Sequence, residues 1–293
     1  MKSLNEQIKE VMQKNASKAV KTQDLIKLGI KAQDIANLFK VYQVDGDDAI
    51  SYTLGVEIEC FNVDRDRFLH LVRRQGIEIQ HEDYNHDTRN HYKVVSDSSI
   101  LGDNALECVS PVLKGKTGLK SLKKVCDSLN QSGAQVNRST GLHVHVGLQG
   151  IDIEQYKSIF VNYYFLENAI DKFMANSRRG NSNTYCRSIT YDKSVYLAEC
   201  QTFEKIAQVF SYERYFKVNP MSYSRHNTLE FRQHQGTADY AKIEMWVKFI
   251  CKLVKWSKNN RLDAGIDNIS DIPFLSEKEK SYFTNRAAAL AAA

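Results

Sequence analysis

Three short segments place acidic, imidazole and guanidinium side chains at every second position, with apolar residues between them. They are Glu57-Ile58-Glu59, His143-Val144-His145 and Glu230-Phe231-Arg232-Gln233-His234. Because residues i and i+2 of a β-strand point to the same face, each segment is predicted to be a strand that sends its polar groups to one side. Two carboxylates on one such face lie about 7 Å apart and repel each other by roughly 2 kcal/mol at an effective dielectric of about 20. A face that concentrates Glu and His in this way indicates bound cations.

A solvated sheet face is the alternative interpretation of each segment taken alone. Antiparallel sheets often have one wet face, on which polar residues alternate with apolar ones. A single Glu-x-Glu is more often such a face than a metal site. Solvated faces, however, usually carry Thr, Lys and Gln, and like charges placed side by side are unfavourable. Three such strands in one chain therefore favour a site for polyvalent cations.

The candidate metal ligands are carboxylates and one imidazole: Glu57, Glu59, Asp97, Glu107, His143 and Glu230. Hard carboxylates with a single imidazole suit Mg²⁺ or Mn²⁺ better than structural zinc. The candidate cationic or donor groups are Arg232, Arg214, Lys217, Arg178, Arg179 and His145. A magnesium-rich cleft beside several arginines is typical of phosphate chemistry, because phosphoryl transfer needs fixed positive charge around the transferring group.

Several common catalytic and nucleotide-binding motifs are absent from the sequence. It contains neither a P-loop motif nor a Gly-x-Gly-x-x-Gly turn, so metals would have to hold the phosphates. It also lacks Gly-x-Ser-x-Gly and His-Glu-x-x-His, which argues against the corresponding hydrolases. The six cysteines show no Cys-x-x-Cys or zinc-like spacing and are expected to be buried free thiols in a reducing compartment.

Length and composition are those of an ordinary globular protein. The chain has 293 residues, of which 42% are hydrophobic and 26% charged, and a net charge of +5. This mild positive excess helps to hold anionic ligands but does not indicate nucleic acid. The N-terminal segment has no secretory apolar core, and no apolar run approaches about 20 residues. We therefore expect a cytoplasmic protein without a membrane partner.

The pattern along the chain predicts an α+β protein. Residues 1–46 form a helical appendage, 47–286 a catalytic domain and 287–293 an Ala-rich tail. The appendage is predicted to contain helices over 4–13, 23–28 and 32–42, broken at Gly29. The helix–glycine–helix pattern of the appendage weakly resembles a helix-turn-helix. A helical hairpin is favoured over a DNA-binding motif, because the second helix of the appendage offers few basic residues.

The catalytic domain is predicted to hold a mainly antiparallel sheet whose one face is an open binding cradle, with helices on the other side. Strands are predicted over 52–63, 77–80, 91–95, 105–109, 135–137, 142–148 and 228–234. Helices are predicted over 66–74, 115–132, 152–174, 202–209 and 241–256, and residues 177–183 are predicted to be a polar loop.

Five motifs together resemble the amidoligase family, in the right order over roughly residues 50–260. They are Leu54-Gly-Val-Glu-Ile-Glu59, Asp97-Ser-Ser with Ala105-Leu-Glu-Cys-Val-Ser-Pro111, Ser139-Thr-Gly-Leu-His-Val-His145, Tyr215-Phe-Lys-Val-Asn219 and Thr228-Leu-Glu-Phe-Arg-Gln-His-Gln-Gly-Thr237. This family is similar to glutamine synthetase and γ-glutamylcysteine synthetase. The resemblance implies a Mg²⁺- and ATP-dependent carboxylate–amine ligase with a glutamine synthetase-like catalytic sheet.

The resemblance also implies roles for individual residues. Glu57, Glu59 and His143 would bind metal, Glu107 would bind the ion on the amino-acid side with help from Asp97, and Glu230 would complete the nucleotide metal. Arg232 would hold the γ-phosphate or the acyl-phosphate, and His145 would approach the nucleotide phosphates. The remaining phosphate, nucleotide or substrate contacts would come from Arg214, Lys217, Asn219, His234, Arg178 and Arg179.

Two other functions stay open at this point. One is a guanidino-type phosphotransferase, since such kinases share the superfamily fold. The other is a nucleic-acid- or partner-binding module that uses the N-terminal helices beside a catalytically idle sheet. The sequence names neither the carboxylate nor the amine substrate, which could be small molecules or peptides, and residues 1–46 could bind a further partner.

Overall fold

The structure is a computed structural model and describes residues 2–13, 18–35 and 51–292. It divides into two compact units, residues 1–49 and 50–293. Each unit is described by itself.

The first unit is a small helical cluster. Helix α1 spans Leu4–Gln13, as predicted, and α2 spans Lys18–Lys27, beginning five residues before the predicted start at residue 23. Gly29 adopts a left-handed φ of 82° after α2, and residues 32–35 are again helical. The predicted continuation of that last helix to residue 42 lies outside the described residues. Ile8, Val11, Leu25 and Ile35 form the apolar core of this unit.

The second unit contains one eight-stranded sheet. Its strands are β1 Thr53–Cys60, β2 Ile79–His81, β3 Tyr92–Val95, β4 Leu106–Val109, β5 Leu113–Lys114, β6 Gly141–Gly147, β7 Val218–Asn219 and β8 Thr228–Gln235. The strand order is β2-β3-β4-β1-β6-β8-β7, with β5 paired to β1. Among the strand pairs of the described residues, β2–β3 alone is parallel. The predicted α+β class with a mainly antiparallel sheet is therefore confirmed, whereas the closer likeness to glutamine synthetase stays a prediction.

Five of the eight helices described in this unit lie close to predicted positions, whereas those over 191–196, 222–226 and 277–291 were not predicted. They are α3 Arg65–Arg74, α4 Gly115–Gln131, α5 Ile153–Lys172, α6 Tyr191–Tyr196, α7 Phe203–Val209, α8 Ser222–His226, α9 Tyr240–Ser257 and α10 Glu277–Ala291. Asp152 begins α5 with a capping box, which satisfies otherwise unpaired backbone N–H groups at the helix start. In the described residues, no helix combines the length and apolar character needed to cross a bilayer.

Three sequence predictions need correction. The strand predicted over 135–137 is reduced to one bridge between Phe61 and Gln135. The loop predicted over 177–183 contains a short 3₁₀ turn, Asn176–Arg178, which carries a buried arginine. Residues 287–291 of the Ala-rich tail continue helix α10, because alanine has the highest helix propensity.

The two faces of the sheet differ as the alternation of the sequence predicts. Val56, Val144 and Phe231 are buried on the face that packs against helices, where the Phe231 ring lies 5.9 Å from that of Tyr163 on α5. The side chains between them along the strands point to the opposite face. Burial of the apolar face fixes the register, since a shift of one residue would exchange the two faces.

Candidate active site

The strand order brings together acids and imidazoles that are far apart in the sequence. Glu59 on β1 is opposite Glu107 on β4, and Glu57 on β1 is opposite His143 on β6. On the next pair, His145 of β6 is opposite Glu230 of β8. Directly opposed residues on antiparallel strands have Cβ atoms about 5 Å apart, so the polar groups form one continuous patch.

His143 lies at the centre of this patch. Its Nδ1 is 3.1 Å from Glu57 Oε2 and 3.8 Å from Glu230 Oε1, and its Nε2 is 3.5 Å from Glu59 Oε1. A second imidazole, His145, places Nε2 3.3 Å from Glu57 Oε1 and Nδ1 2.9 Å from Thr228 Oγ1. Glu57 thus connects both histidines.

Glu230 and Arg232 form a buried pair on β8. Arg232 Nη1 donates to Glu230 Oε1 at 2.5 Å, and Asn219 Nδ2 on β7 donates to Glu230 Oε2 at 2.5 Å. Arg232 Nε also donates to the backbone oxygen of Tyr185 at 3.2 Å. These bonds orient the guanidinium and one carboxylate side by side in the same cavity.

Three overlapping groups of side chains could each hold a metal ion. They are Glu57 with His145 and Glu230, Glu57 with Glu107 and His143, and Glu59 with Asp97 and Glu107. Within each group the ligand atoms lie within 4.8 Å of one another. Carboxylate oxygens dominate all three groups, which is the donor set that Mg²⁺ and Mn²⁺ prefer.

The acidic cluster perturbs the protonation of its members. Burial raises the pKa of Glu107 well above its ordinary value, and the negative charges of Glu57, Glu59 and Asp97 raise it further. Burial also acts to raise the pKa of Glu57, but hydrogen bonds from His143 and His145 outweigh it and hold that pKa well below its ordinary value. The pKa values of two carboxyl groups in one patch are therefore shifted in opposite directions, as is common where acids share a functional site.

A cavity of about 1180 Å³ opens over this face of the sheet. All six predicted metal ligands line it, together with five of the predicted cationic or nucleotide contacts: His145, Arg178, Arg214, Asn219 and Arg232. The structure therefore brings most of the predicted site residues to one concave surface.

The guanidinium group of Arg178 hydrogen-bonds to backbone carbonyl groups next to the cavity. Its side chain is buried, and Nη2 donates to the carbonyl oxygen of Thr140 at 2.6 Å while Nη1 donates to that of Arg232 at 3.4 Å. It joins the start of β6 to β8. Gly141 leaves the space for it, because a Cβ at that position would lie 3.0 Å from Arg178 Nη2 and 2.7 Å from His143 Nε2.

Three predicted contacts lie outside the cavity lining: Lys217, His234 and Arg179. Lys217 is completely buried and pairs with Glu167 at 2.8 Å and Asp171 at 2.9 Å, both on helix α5. Arg179 donates from Nε to the backbone oxygen of Met174. These side chains stabilise the helical side of the sheet, and the catalytic or nucleotide-binding roles that the sequence suggested for them are not supported by their positions.

A β-bulge explains the position of His234. Val144 pairs with Phe231 but Leu142 pairs with His234, so two residues of β8, Arg232 and Gln233, oppose the single residue His143. Such a bulge reverses the alternation of side chains beyond it. His234 consequently points to the apolar face, where its ring lies 5.7 Å from that of Trp246 and burial lowers its pKa to about 3.

Residues outside the predicted strands also reach the cavity, and the sequence pattern did not indicate them. Tyr84, His86 and Thr88 from the β2–β3 connection line it, as do Arg225 and His226 at the end of α8. Lys93 on β3 fixes this connection by donating to the backbone oxygens of Asn85 and Asp87. The β2–β3 connection and the short helix α8 lie outside the alternating strands, so alternation could not have indicated these residues.

Comparison with known families agrees with this geometry. A family model described as "Putative amidoligase enzyme" matches residues 51–254. The chain belongs to this amidoligase family. The matched range contains β1 to β8 and all the residues of the acidic patch. No curated protein matches the chain.

Proposed function

We propose that this amidoligase is an ATP-dependent carboxylate–amine ligase that forms an amide bond through an acyl-phosphate and requires Mg²⁺ or Mn²⁺. The observation that carries the proposal is the patch of Glu57, Glu107, His143 and Glu230 beside Arg232 within one cavity of a family member. Membership of the family indicates a ligase-type enzyme. The metal-binding side chains of the patch support the proposed dependence on ATP and on a divalent metal ion.

The donor set fits hard divalent cations. Its carboxylates are close enough to share ions, and no lysine or arginine neutralises Glu59, Asp97 or Glu107 among the ion pairs of the described residues. Glu57, Glu59, Glu107, His143 and Glu230 would hold the ions, with Asp97 at the edge. Bound there, Mg²⁺ or Mn²⁺ would supply Lewis-acid stabilisation of the negative charge on the transferring phosphoryl group.

The chain's own groups would orient the reactants for two displacements. In the first, an oxygen of the substrate carboxylate attacks the γ-phosphorus of ATP, and the bond from that phosphorus to ADP breaks. In the second, the amine nitrogen attacks the acyl carbon, loses a proton, and phosphate leaves. Arg232 would stay in place through both steps, since Glu230 and the Tyr185 carbonyl fix its guanidinium.

The test is product analysis rather than ATP loss alone. The purified protein is incubated with ATP, Mg²⁺ and pools of carboxylates and amines, and amide products are sought by mass spectrometry. ADP release that requires both an acid and an amine, with a new amide mass, supports the ligase. A phosphorylated guanidine with no added acid would instead support the phosphotransferase. ATP turnover without any condensed product in either pool would reject both.

A further inference from the structure

Basic and aromatic side chains, here called the rim, line the same cavity as the acidic patch. Two distant segments form the rim: the β2–β3 connection with Tyr84 and His86, and the segment from Tyr212 to His226, which includes Arg214 and Arg225. His86 Nε2 lies 3.4 Å from Arg214 Nη1, and Thr88 Oγ1 lies 3.2 Å from His226 Nδ1. These contacts join the two segments.

Neither rim arginine forms an ion pair with an acid in the part of the chain that the structure describes. Six carboxylates line the same cavity, and the one on the β2–β3 connection, Asp87, pairs with Arg89 instead. Arg214 is partly buried and lies over the ring of Tyr215 at 5.3 Å. Burial lowers the pKa of His86, and the positive charges of Arg214 and Arg225 lower it further, so both guanidinium groups act on the same point of the rim.

The rim is close to the reacting end of the cavity. Tyr215 also contacts Arg232, whose guanidinium carbon is 6.0 Å from the ring centre, so the carbons of Arg214 and Arg232 are separated by about 11 Å at most. A short molecule can therefore reach both guanidinium groups. Arg232 would face the carboxylate that is activated, and Arg214 would face a second anionic group of the same molecule.

We propose that Arg214 and Arg225 bind a second carboxylate of the acid substrate, so that the amidoligase acts on a dicarboxylate or on a peptide that ends in one. This inference rests on the proposed ligase function and names the class of its acid substrate. Arginine suits the task because its planar fork binds a carboxylate through two hydrogen bonds.

Binding of simple acids to the full chain tests the proposal without requiring turnover. Succinate, glutarate and adipate are titrated by calorimetry in the presence of Mg²⁺, with butyrate as the monocarboxylate probe. We expect at least one dicarboxylate to bind, and Arg214→Gln to weaken it by roughly tenfold to a hundredfold. Arg225→Gln should weaken it less, since Arg225 is the more exposed of the two. The matched control is Arg74→Gln, which removes an exposed arginine at the end of α3 and should change nothing.

The nucleotide is the other source of anionic groups, and a second titration separates it. MgATP should bind wild type and Arg214→Gln equally. If Arg214→Gln weakens MgATP and leaves the dicarboxylate unchanged, the rim binds phosphate and the proposal is wrong. Absence of dicarboxylate binding, or equal binding in all variants, also rejects it. Since these readouts need no product, a protein that binds a dicarboxylate through Arg214 but forms no amide would reject the ligase function alone. Unfolding curves of both variants confirm that the binding is measured on folded protein.

Discussion

Glu57 and His143 are directly paired on neighbouring antiparallel strands, and Glu57 Oε2 lies 3.1 Å from His143 Nδ1. The carboxylate of Glu57 also reaches His145, so it belongs to two of the three groups that could hold an ion. Loss of this one charge should therefore disturb more of the site than loss of any peripheral acid.

Glu57→Gln should lower Mg²⁺-dependent ATP turnover by roughly a hundredfold or more, because it removes a shared ligand charge. Turnover is measured as ADP release over a range of Mg²⁺ concentrations, and the fold is checked by thermal unfolding. Asp127→Asn is the matched control, since it removes a carboxylate on helix α4 that pairs with Lys123 outside the cavity. Full turnover of Glu57→Gln at saturating Mg²⁺ would exclude Glu57 as a metal ligand.

Glu107 should make the metal-free protein less stable as the pH rises. Burial and three neighbouring acids raise its pKa in the folded chain above the ordinary value of 4.5. The folded state then binds more protons than the unfolded state, so the unfolding free energy falls from about pH 4.5 up to the raised pKa.

Glu107→Gln should remove this slope and, at pH values where Glu107 is ionised, make the metal-free protein more stable than the wild type, because it removes one charge from acids whose ligand atoms lie within 4.8 Å of one another. Urea unfolding in EDTA at several pH values measures both effects. The same variant should lose part of the stabilisation that Mg²⁺ gives the wild type. An unchanged pH slope in Glu107→Gln would show that another group causes it.

The sequence predicted the faces of β1 and β6 because alternation is intact there: Glu57, Glu59, His143 and His145 share one side, and Val56 and Val144 share the other. The alternation predicted the wrong face for His234, because a bulge depends on how two strands pair and cannot be recognised from the sequence of one strand. It also failed for His86, which reaches the site through a loop whose path Lys93 fixes by hydrogen bonds.

Lys217 was expected in the site, but the structure places it outside the cavity lining, in ion pairs with Glu167 and Asp171. Lys217→Met should reduce the unfolding free energy by about 3 kcal/mol, because the buried carboxylate of Glu167 and the half-buried carboxylate of Asp171 lose their cationic partner. Arg232→Gln, in contrast, should abolish turnover. Urea unfolding and ADP release on both variants separate these roles. A stable Lys217→Met that lacks activity would return Lys217 to the catalytic residues.

Gly141→Ala should weaken metal binding while the chain still folds. The new methyl group would meet His143 Nε2 at 2.7 Å and Arg178 Nη2 at 3.0 Å, so the imidazole must move away from the carboxylates. The expected result is a higher Mg²⁺ requirement for ATP turnover. Gly265→Ala is the control, because its added carbon has no neighbour closer than 4.0 Å. Equal Mg²⁺ dependence of the two variants would show that His143 does not need its present position.

A chain that begins at Ile50 should fold and retain ATP turnover. The structure separates residues 1–49 from 50–293, the family model begins at residue 51, and the small unit has its own core of Ile8, Val11, Leu25 and Ile35. Because all the ligands of the acidic patch belong to the larger unit, the shortened chain should show the wild-type Mg²⁺ dependence and the same dicarboxylate affinity. Calorimetry and ADP release test this directly. If turnover of small acids and amines is unchanged but activity on a protein or peptide substrate is lost, residues 1–49 recruit that substrate. If the shortened chain folds but loses all turnover, the small unit takes part in the reaction itself.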